Sequence, residues 1–164
     1  MSFSSVDVAM SALNRLGRYL KSSPRLVFKL PFQLAAKWDV YTDTDWAGCP
    51  RTRKNTSGGV LMLGSRILKS WSSTQTSIAL SSGEAEFNGG ARGAGVGLGY
   101  QSLLLDLGRD PLVRIWTDSS AAMGTASRQG LGKHRHLERH SLWVQQRLTQ
   151  RDFEFRTIRG GLNP

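Results

Sequence analysis

Residues 81–107 constrain the fold more than any other part of this chain. The segment opens Ser81-Ser82-Gly83-Glu84-Ala85-Glu86 and closes Leu103-Leu104-Leu105-Asp106-Leu107-Gly108. A serine at the start and a glycine just past the end are helix-boundary signals. Between them lie Gly89, Gly90, Gly93, Gly95, Gly97 and Gly99. Each costs a helix interior about 1 kcal/mol relative to Ala, so a helix here depends on tertiary packing. The expected packing is a close approach of small residues to a sheet. The stretch Gly93 to Gly99 superficially resembles a dinucleotide-binding loop. It does not match GxGxxG and does not directly follow a strand.

Strand patterns flank this helix. Trp38–Trp46, Gly58–Leu63 and Arg66–Trp71 precede it, and Gly64-Ser65 is a hairpin signal between the last two. Leu112–Thr117 follows as a strand ending at Asp118, then a short helix over Ser119–Ala126 and a loop from Arg128 to Lys133. A helix over Leu137–Leu148 and a strand over Phe153–Ile158 complete the chain. Near the N-terminus, Val6, Ala9, Met10, Leu13, Leu16 and Leu20 recur at helical spacing. Ser4 or Ser5 is the candidate cap of that helix, and Pro24 lies past its end. The order is helix, three strands, helix, strand, two helices, strand, which is an α/β pattern.

The chain has 164 residues, enough for one globular domain with a core. Lys and Arg number 22 against 12 Asp and Glu, a net charge of +10. Such an excess favours nucleic acid or an anionic membrane surface as partner. The single cysteine, Cys49, excludes an internal disulfide framework and fits a reducing compartment. No run approaches the ~18 apolar residues of a membrane span, and the first residues lack a signal-peptide pattern. An intracellular protein is expected.

Against this basic background stand three short acidic segments: Tyr41-Thr42-Asp43-Thr44-Asp45-Trp46, Ser81–Glu86, and Trp116-Thr117-Asp118-Ser119-Ser120. Strand alternation puts Asp43 and Asp45 on one face. Glu86 falls in the first turns of the long helix. Asp118 falls at the carboxyl end of a strand, where open α/β sheets build sites. If the two strands are neighbours and the helix crosses them, three carboxylates converge. Clustered carboxylates repel unless a cation or protons neutralise them, and hard oxygen ligands suit Mg²⁺ or Mn²⁺. Spacing alone leaves ordinary acidic strand ends as an equal alternative.

The same segments carry a resemblance. Tyr-Thr-Asp-Thr-Asp-Trp-Ala-Gly (41–48), Asn-Thr-Ser-Gly-Gly (55–59), Ser-Trp-Ser-Ser-Thr-Gln-Thr (70–76) and Ala-Leu-Ser-Ser-Gly-Glu-Ala-Glu-Phe (79–87) resemble the ribonuclease H domain of copia-type (pseudoviral) retrotransposon polyproteins. Trp116 to Ala122 continues the match, which runs in family order from about Val6 to Pro164. The resemblance implies a ribonuclease H-like fold, a five-stranded mixed sheet flanked by helices. It implies endonucleolytic cleavage of the RNA strand of RNA–DNA hybrids by a mechanism with two Mg²⁺ or Mn²⁺ ions. By position Asp43, Glu86 and Asp118 are then the catalytic, metal-binding carboxylates. Asp45 belongs beside the site, and Glu84 reads as a surface or substrate-side charge. Residues 14–21 resemble the helix that ends a reverse-transcriptase region. Residues 1–30 are therefore assigned to that element and 31–164 to the ribonuclease H-like domain, expected to be monomeric in isolation and to work in a cytoplasmic retrotransposon particle or in the nucleus.

The match departs from the family at its end. A fourth carboxylate, in an Ala-Asp motif after the last strand, and a final helix are expected beyond Arg159-Gly160-Gly161-Leu162-Asn163-Pro164. Glu138, in Arg135-His136-Leu137-Glu138, is the candidate substitute, with an ordinary acidic helix start as the alternative. The missing ligand motivates a second functional reading, a catalytically weak or inactive nucleic-acid-binding remnant. Arg51, Arg53, Lys54, Ser119, Lys133, Arg135 and His136 are candidate nucleic-acid contacts, with Arg66, Lys69 and Arg128 nearby. Such cations position a backbone without reading its sequence. His134, His136 and His140 lack the partners of a zinc site. Trp46 and Trp71 are expected in the core rather than as base-stacking platforms.

Overall fold

The structure, a computed structural model, describes residues 5–25, 27, 29, 32–33, 37–49, 51–128 and 139–163. The chain divides into two compact units, Met1–Phe32 and Gln33–Pro164. The first contains helix α1, Ser5–Ser22, with Asp7 in its first turn and Lys21 in its last. Both charges complement the helix dipole.

The second unit is built on five strands: β1 (Lys37–Asp45), β2 (Thr56–Leu63), β3 (Arg66–Thr74), β4 (Leu112–Thr117) and β5 (Phe153–Thr157). Their order in the sheet is β3-β2-β1-β4-β5. The first three form an antiparallel meander. Its β2–β3 turn places Gly64 at a φ of +58°, the left-handed conformation that primed hairpin turns require at their first residue. Strand β1 pairs with β4 in parallel, and β4 with β5 in parallel. Parallel pairing demands a long crossover, and helix α2, Ser82–Asp106, lies within the one from β1 to β4.

Capping defines both ends of α2. The Ser81 hydroxyl accepts a hydrogen bond from the Glu84 amide at 3.2 Å, and the Glu84 carboxylate accepts from the Leu80 amide at 3.0 Å. Glu84 thus serves the helix start, a role beyond its reading as a surface or substrate-side charge. Two bonds close the other end, Gly108 amide to Leu105 carbonyl and Arg109 amide to Leu104 carbonyl, with Gly108 at φ +73°. This is the Schellman arrangement, with glycine in the left-handed position.

The buried glycines follow one face of α2. A Cβ on Gly93 would fall 2.6 Å from Thr42 Cγ2, and one on Gly97 would fall 2.8 Å from Val113 Cγ1. Helix and sheet are therefore in backbone-close contact along Gly89, Gly93 and Gly97. Val40, Leu61, Val113, Ile115 and Phe153 from the strands pack with Phe87 and Ala94 of α2. Ala122 and Ala126 of helix α3 (Ser120–Ala126) and Val144 of helix α4 (Arg139–Thr149) complete that cluster.

On the opposite face of the sheet, Asp39 accepts from Arg114 Nη2 at 2.6 Å and from Trp116 Nε1 at 2.7 Å. The Trp116 ring stacks on Tyr41, with centroids 6.1 Å apart. Trp71 packs against the core as expected. Trp46 does not: it is 50% exposed, with its indole N–H directed at the Ala79 carbonyl. The reason is local, because β1 ends at Asp45 and Trp46 already belongs to the turn.

Candidate metal centre

The parallel pairing of β1 and β4 aligns their carboxyl ends. Asp43 lies near the end of β1, and Asp118 follows the last residue of β4. Glu86 enters from the first turns of α2, which packs on both strands. Asp43, Glu86 and Asp118 each offer a carboxylate oxygen, and these oxygens lie within 4.8 Å of one another. Asp43 and Asp118 are exposed, whereas Glu86 is only 9% exposed.

Glu86 carries the electrostatic signature of the site. Its Oε1 accepts from the Thr44 amide at 3.2 Å. Its Oε2 is buried without a hydrogen-bond partner among the described residues. Burial first, then the charges of Asp43 and Asp118, push its carboxyl up to about 7, against a smaller lowering by the Thr44 N–H. A buried carboxylate with one unsatisfied oxygen, grouped with two further carboxylates, is a donor set that suits a hard cation. Asp43, Glu86 and Asp118 therefore fit a divalent ion.

A pH dependence follows. In the metal-free chain folded Glu86 keeps its proton to about pH 7, while the unfolded chain releases it near 4.5. The stabilisation that comes with this proton is complete below pH 4.5 and is lost as pH rises through 7. Urea denaturation in EDTA should show this contribution falling between about pH 4.5 and 7, and Glu86→Gln should flatten that part of the slope. Metal competes with the same proton, so affinity should climb over the same interval. A wild-type profile identical to that of Glu86→Gln would remove the basis for this expectation.

The remaining candidates are placed as follows. Asp45 is not part of the carboxylate group; it lies against Gly48, where a Cβ would fall 1.8 Å from its Oδ2. Arg51 and Arg53 are exposed in the turn after β1, with Arg53 at φ +55°, and Lys54 is half-buried. Ser119 caps α3, its hydroxyl accepting from the Ala122 amide at 3.1 Å. Lys133, Arg135 and His136 lie outside the described residues, as do His134 and Glu138. After β5 the chain returns toward the carboxylates. The Asn163 side-chain amide donates to the Thr42 carbonyl at 3.2 Å, and a Cβ on Gly160 would fall 3.1 Å from Asp118 Oδ2.

Sequence reasoning overlooked the polar residues behind Glu86: buried Thr44, Asn55 and Ser57, and half-buried Gln75. Their signal was present, because Thr44 and Ser57 occupy buried positions of β1 and β2 where alternation calls for apolar side chains.

No family model matches the chain. Secreted RxLR effector protein 161 of Plasmopara viticola is 37% identical over 76 residues, 46% of this chain. The chain spans about half, 54%, of the length of that curated relative. Among solved structures, LC11-RNase H1, isolated from compost by a metagenomic approach, aligns with a TM-score of 0.52 at 18% identity. That alignment covers 78% of this chain and 88% of the other. The same enzyme in complex with an RNA/DNA hybrid aligns at 0.50, also at 18% identity, covering 77% of this chain and 88% of the other. The protease–reverse transcriptase of prototype foamy virus aligns at 0.54 and 16% identity, over 79% of this chain and 18% of the viral one. At such identities the likeness concerns architecture, and with the five-stranded mixed sheet and its flanking helices it gives the chain a ribonuclease H fold.

Proposed function

We propose that this chain is a divalent-metal-dependent ribonuclease H that hydrolyses the RNA strand of RNA–DNA hybrids, and that it descends from a copia-type retrotransposon polyprotein. The observation that carries this reading is the grouping of Glu86, its Oε2 buried and unpartnered, with Asp43 and Asp118 at the carboxyl ends of two parallel strands. The hybrid-bound LC11-RNase H1 supports the substrate class, and the foamy-virus chain supports a reverse-transcriptase neighbour.

Asp43, Glu86 and Asp118 would hold the metal. Mg²⁺ or Mn²⁺ in a two-ion site supplies an activated water and stabilises a leaving oxygen. The chain's own part is to gather three negative charges, to release the Glu86 proton, and to fix that carboxylate through the Thr44 amide. Arg51, Arg53 and Lys54 in the turn after β1, with Ser119, Lys133, Arg135 and His136, are assigned to the phosphate backbones. Hybrid recognition would rest on minor-groove shape and the 2′-hydroxyls of the RNA strand. Residues 1–30 are assigned to the end of a reverse-transcriptase region, and the isolated chain to a monomer acting in a cytoplasmic particle or the nucleus. Among the described residues no helix is long and apolar enough to cross a membrane.

A labelled hybrid incubated with the chain and Mg²⁺ or Mn²⁺ tests the proposal. The RNA strand should be cut to 5′-phosphate and 3′-hydroxyl ends, with EDTA abolishing the reaction and duplex DNA left intact. Binding that weakens steeply with salt, without cleavage at high protein concentration, would instead establish the nucleic-acid-binding remnant.

A further inference from the structure

The polar cluster behind Glu86 has a definite geometry. Gln75 lies just past β3, in the segment leading to α2. Its side-chain Nε2 donates to Ser57 Oγ at 2.7 Å and to the Ala85 carbonyl at 2.9 Å. Its Oε1 accepts from Asn55 Nδ2 at 3.0 Å. Its backbone amide donates to the Asn55 carbonyl at 2.8 Å. Asn55 is fully buried, and its Oδ1 accepts from the Ala47 amide at 2.9 Å in the turn that ends β1. Ser57 Oγ in turn lies 3.4 Å from Thr44 Oγ1. Thr44 is the residue whose amide holds Glu86 Oε1.

The Gln75 carboxamide therefore ties the start of β2 to the first turn of α2, and through Asn55 it reaches the exit of β1. Its bond to the helix falls on Ala85, the residue before Glu86. That carbonyl lies in the helix interior, where the i+4 amide occupies one lone pair, and Gln75 uses the other. Ser81 caps the helix end, so Gln75 is not needed to satisfy an orphan group there. What its bond adds is a lateral fix of the helix relative to β2, the strand paired with the one that carries Asp43.

We propose that Gln75 is a positioning residue that sets the distance of Glu86 from Asp43 and Asp118 and thereby tunes divalent-metal affinity. The inference rests on the metal-dependent reading of that carboxylate group. Partners that orient metal ligands typically govern affinity by about 10–100-fold, and a lateral displacement of Glu86 acts on the same quantity. Asn55 is the second member of the device, because its two carboxamide atoms link Gln75 to the β1 exit.

The test uses the full 164-residue chain. Mn²⁺ affinity is measured by calorimetry at a temperature where every variant is fully folded, beside hybrid cleavage as a function of Mg²⁺ concentration. Gln75→Ala should weaken Mn²⁺ binding by about tenfold or more. The cleavage defect should shrink as Mg²⁺ is raised. Gln75→Glu keeps the size and the acceptor for Asn55 but replaces the donor to Ala85 with a second acceptor, so it should share the metal defect. Gln101→Ala is the control. Its side chain makes comparable bonds, to Asp110 and the Pro111 carbonyl, at the far end of α2. It should lower the melting temperature without moving the Mn²⁺ midpoint.

Unchanged Mn²⁺ affinity in both Gln75 variants, with tight binding by the unaltered chain, would overturn the positioning role and leave the functional reading standing. An equal affinity loss in Gln101→Ala would also overturn it, by showing a general stability effect. Absence of divalent-metal binding by the unaltered chain would overturn both.

Discussion

Asp118→Asn is expected to abolish hybrid cleavage while leaving the fold intact. The substitution keeps the side-chain shape and removes one of the three charges that would hold the metal. Metal stabilisation of a transition state is worth several kcal/mol, and each 1.36 kcal/mol is tenfold in rate. The loss should therefore reach ~10³-fold. A second readout separates this effect from misfolding. The Asp118 charge raises the Glu86 carboxyl, so neutralising it relieves repulsion in the metal-free site. The variant should melt no lower than wild type in EDTA, yet lose the upward shift that Mg²⁺ gives the wild type. Undiminished turnover would refute the assignment of Asp118.

Opposite effects of the same chemical change within one helix form the second expected result. Gly95→Ala and Gly99→Ala should each stabilise the chain by about 1 kcal/mol, the propensity difference in a helix interior. Nothing lies within 4 Å of a Cβ at either position. Gly93→Ala should destabilise. There the added carbon meets Thr42 Cγ2 at 2.6 Å and Val40 Cγ1 at 3.2 Å, both on stiff β-branched side chains of the central strand. Overpacking of about 1–3 kcal/mol outweighs the propensity gain. Because the clash is with the strand that carries Asp43, Gly93→Ala should also raise the Mg²⁺ concentration needed for cleavage. Equilibrium urea denaturation of the three variants checks the signs. A uniform stabilisation would mean that α2 does not press on β1 as closely as described.

The bounds of α2 were legible because caps are local. Ser81 and Gly108 announce themselves within a few residues of the helix ends, and the helix runs from Ser82 to Asp106. The strand order depends on long-range pairing; the motif resemblance implied a five-stranded mixed sheet, and neither it nor alternation supplied the order. Asp43 and Asp118 were candidates because both stand at strand ends. Glu86 was separable from Glu84 because two helix residues so spaced point apart. The role of Glu84 was missed, since the same acidic side chain suits a cap or a surface. Trp46 was misplaced because hydrophobic character says nothing about where a strand stops. Gln75 and Asn55 were invisible as a pair. Their bonds join residues 20 apart across two strands, and no periodicity encodes a carboxamide contact.

The parallel β1–β4 pair carries a consequence for the birth of the molecule. Thr42 Oγ1 donates to the Trp116 carbonyl across a separation of 74 residues. The β2–β3 hairpin and the α2 caps are local, so they can form on a nascent chain soon after they leave the ribosome. Asp118 emerges last of the three acids, and β4 must then slot beside an already committed β1. Until that moment Asp43 and Glu86 lack their third partner. The three carboxylates therefore come together only when β4 joins β1, and β5 adds to the edge of the sheet after that.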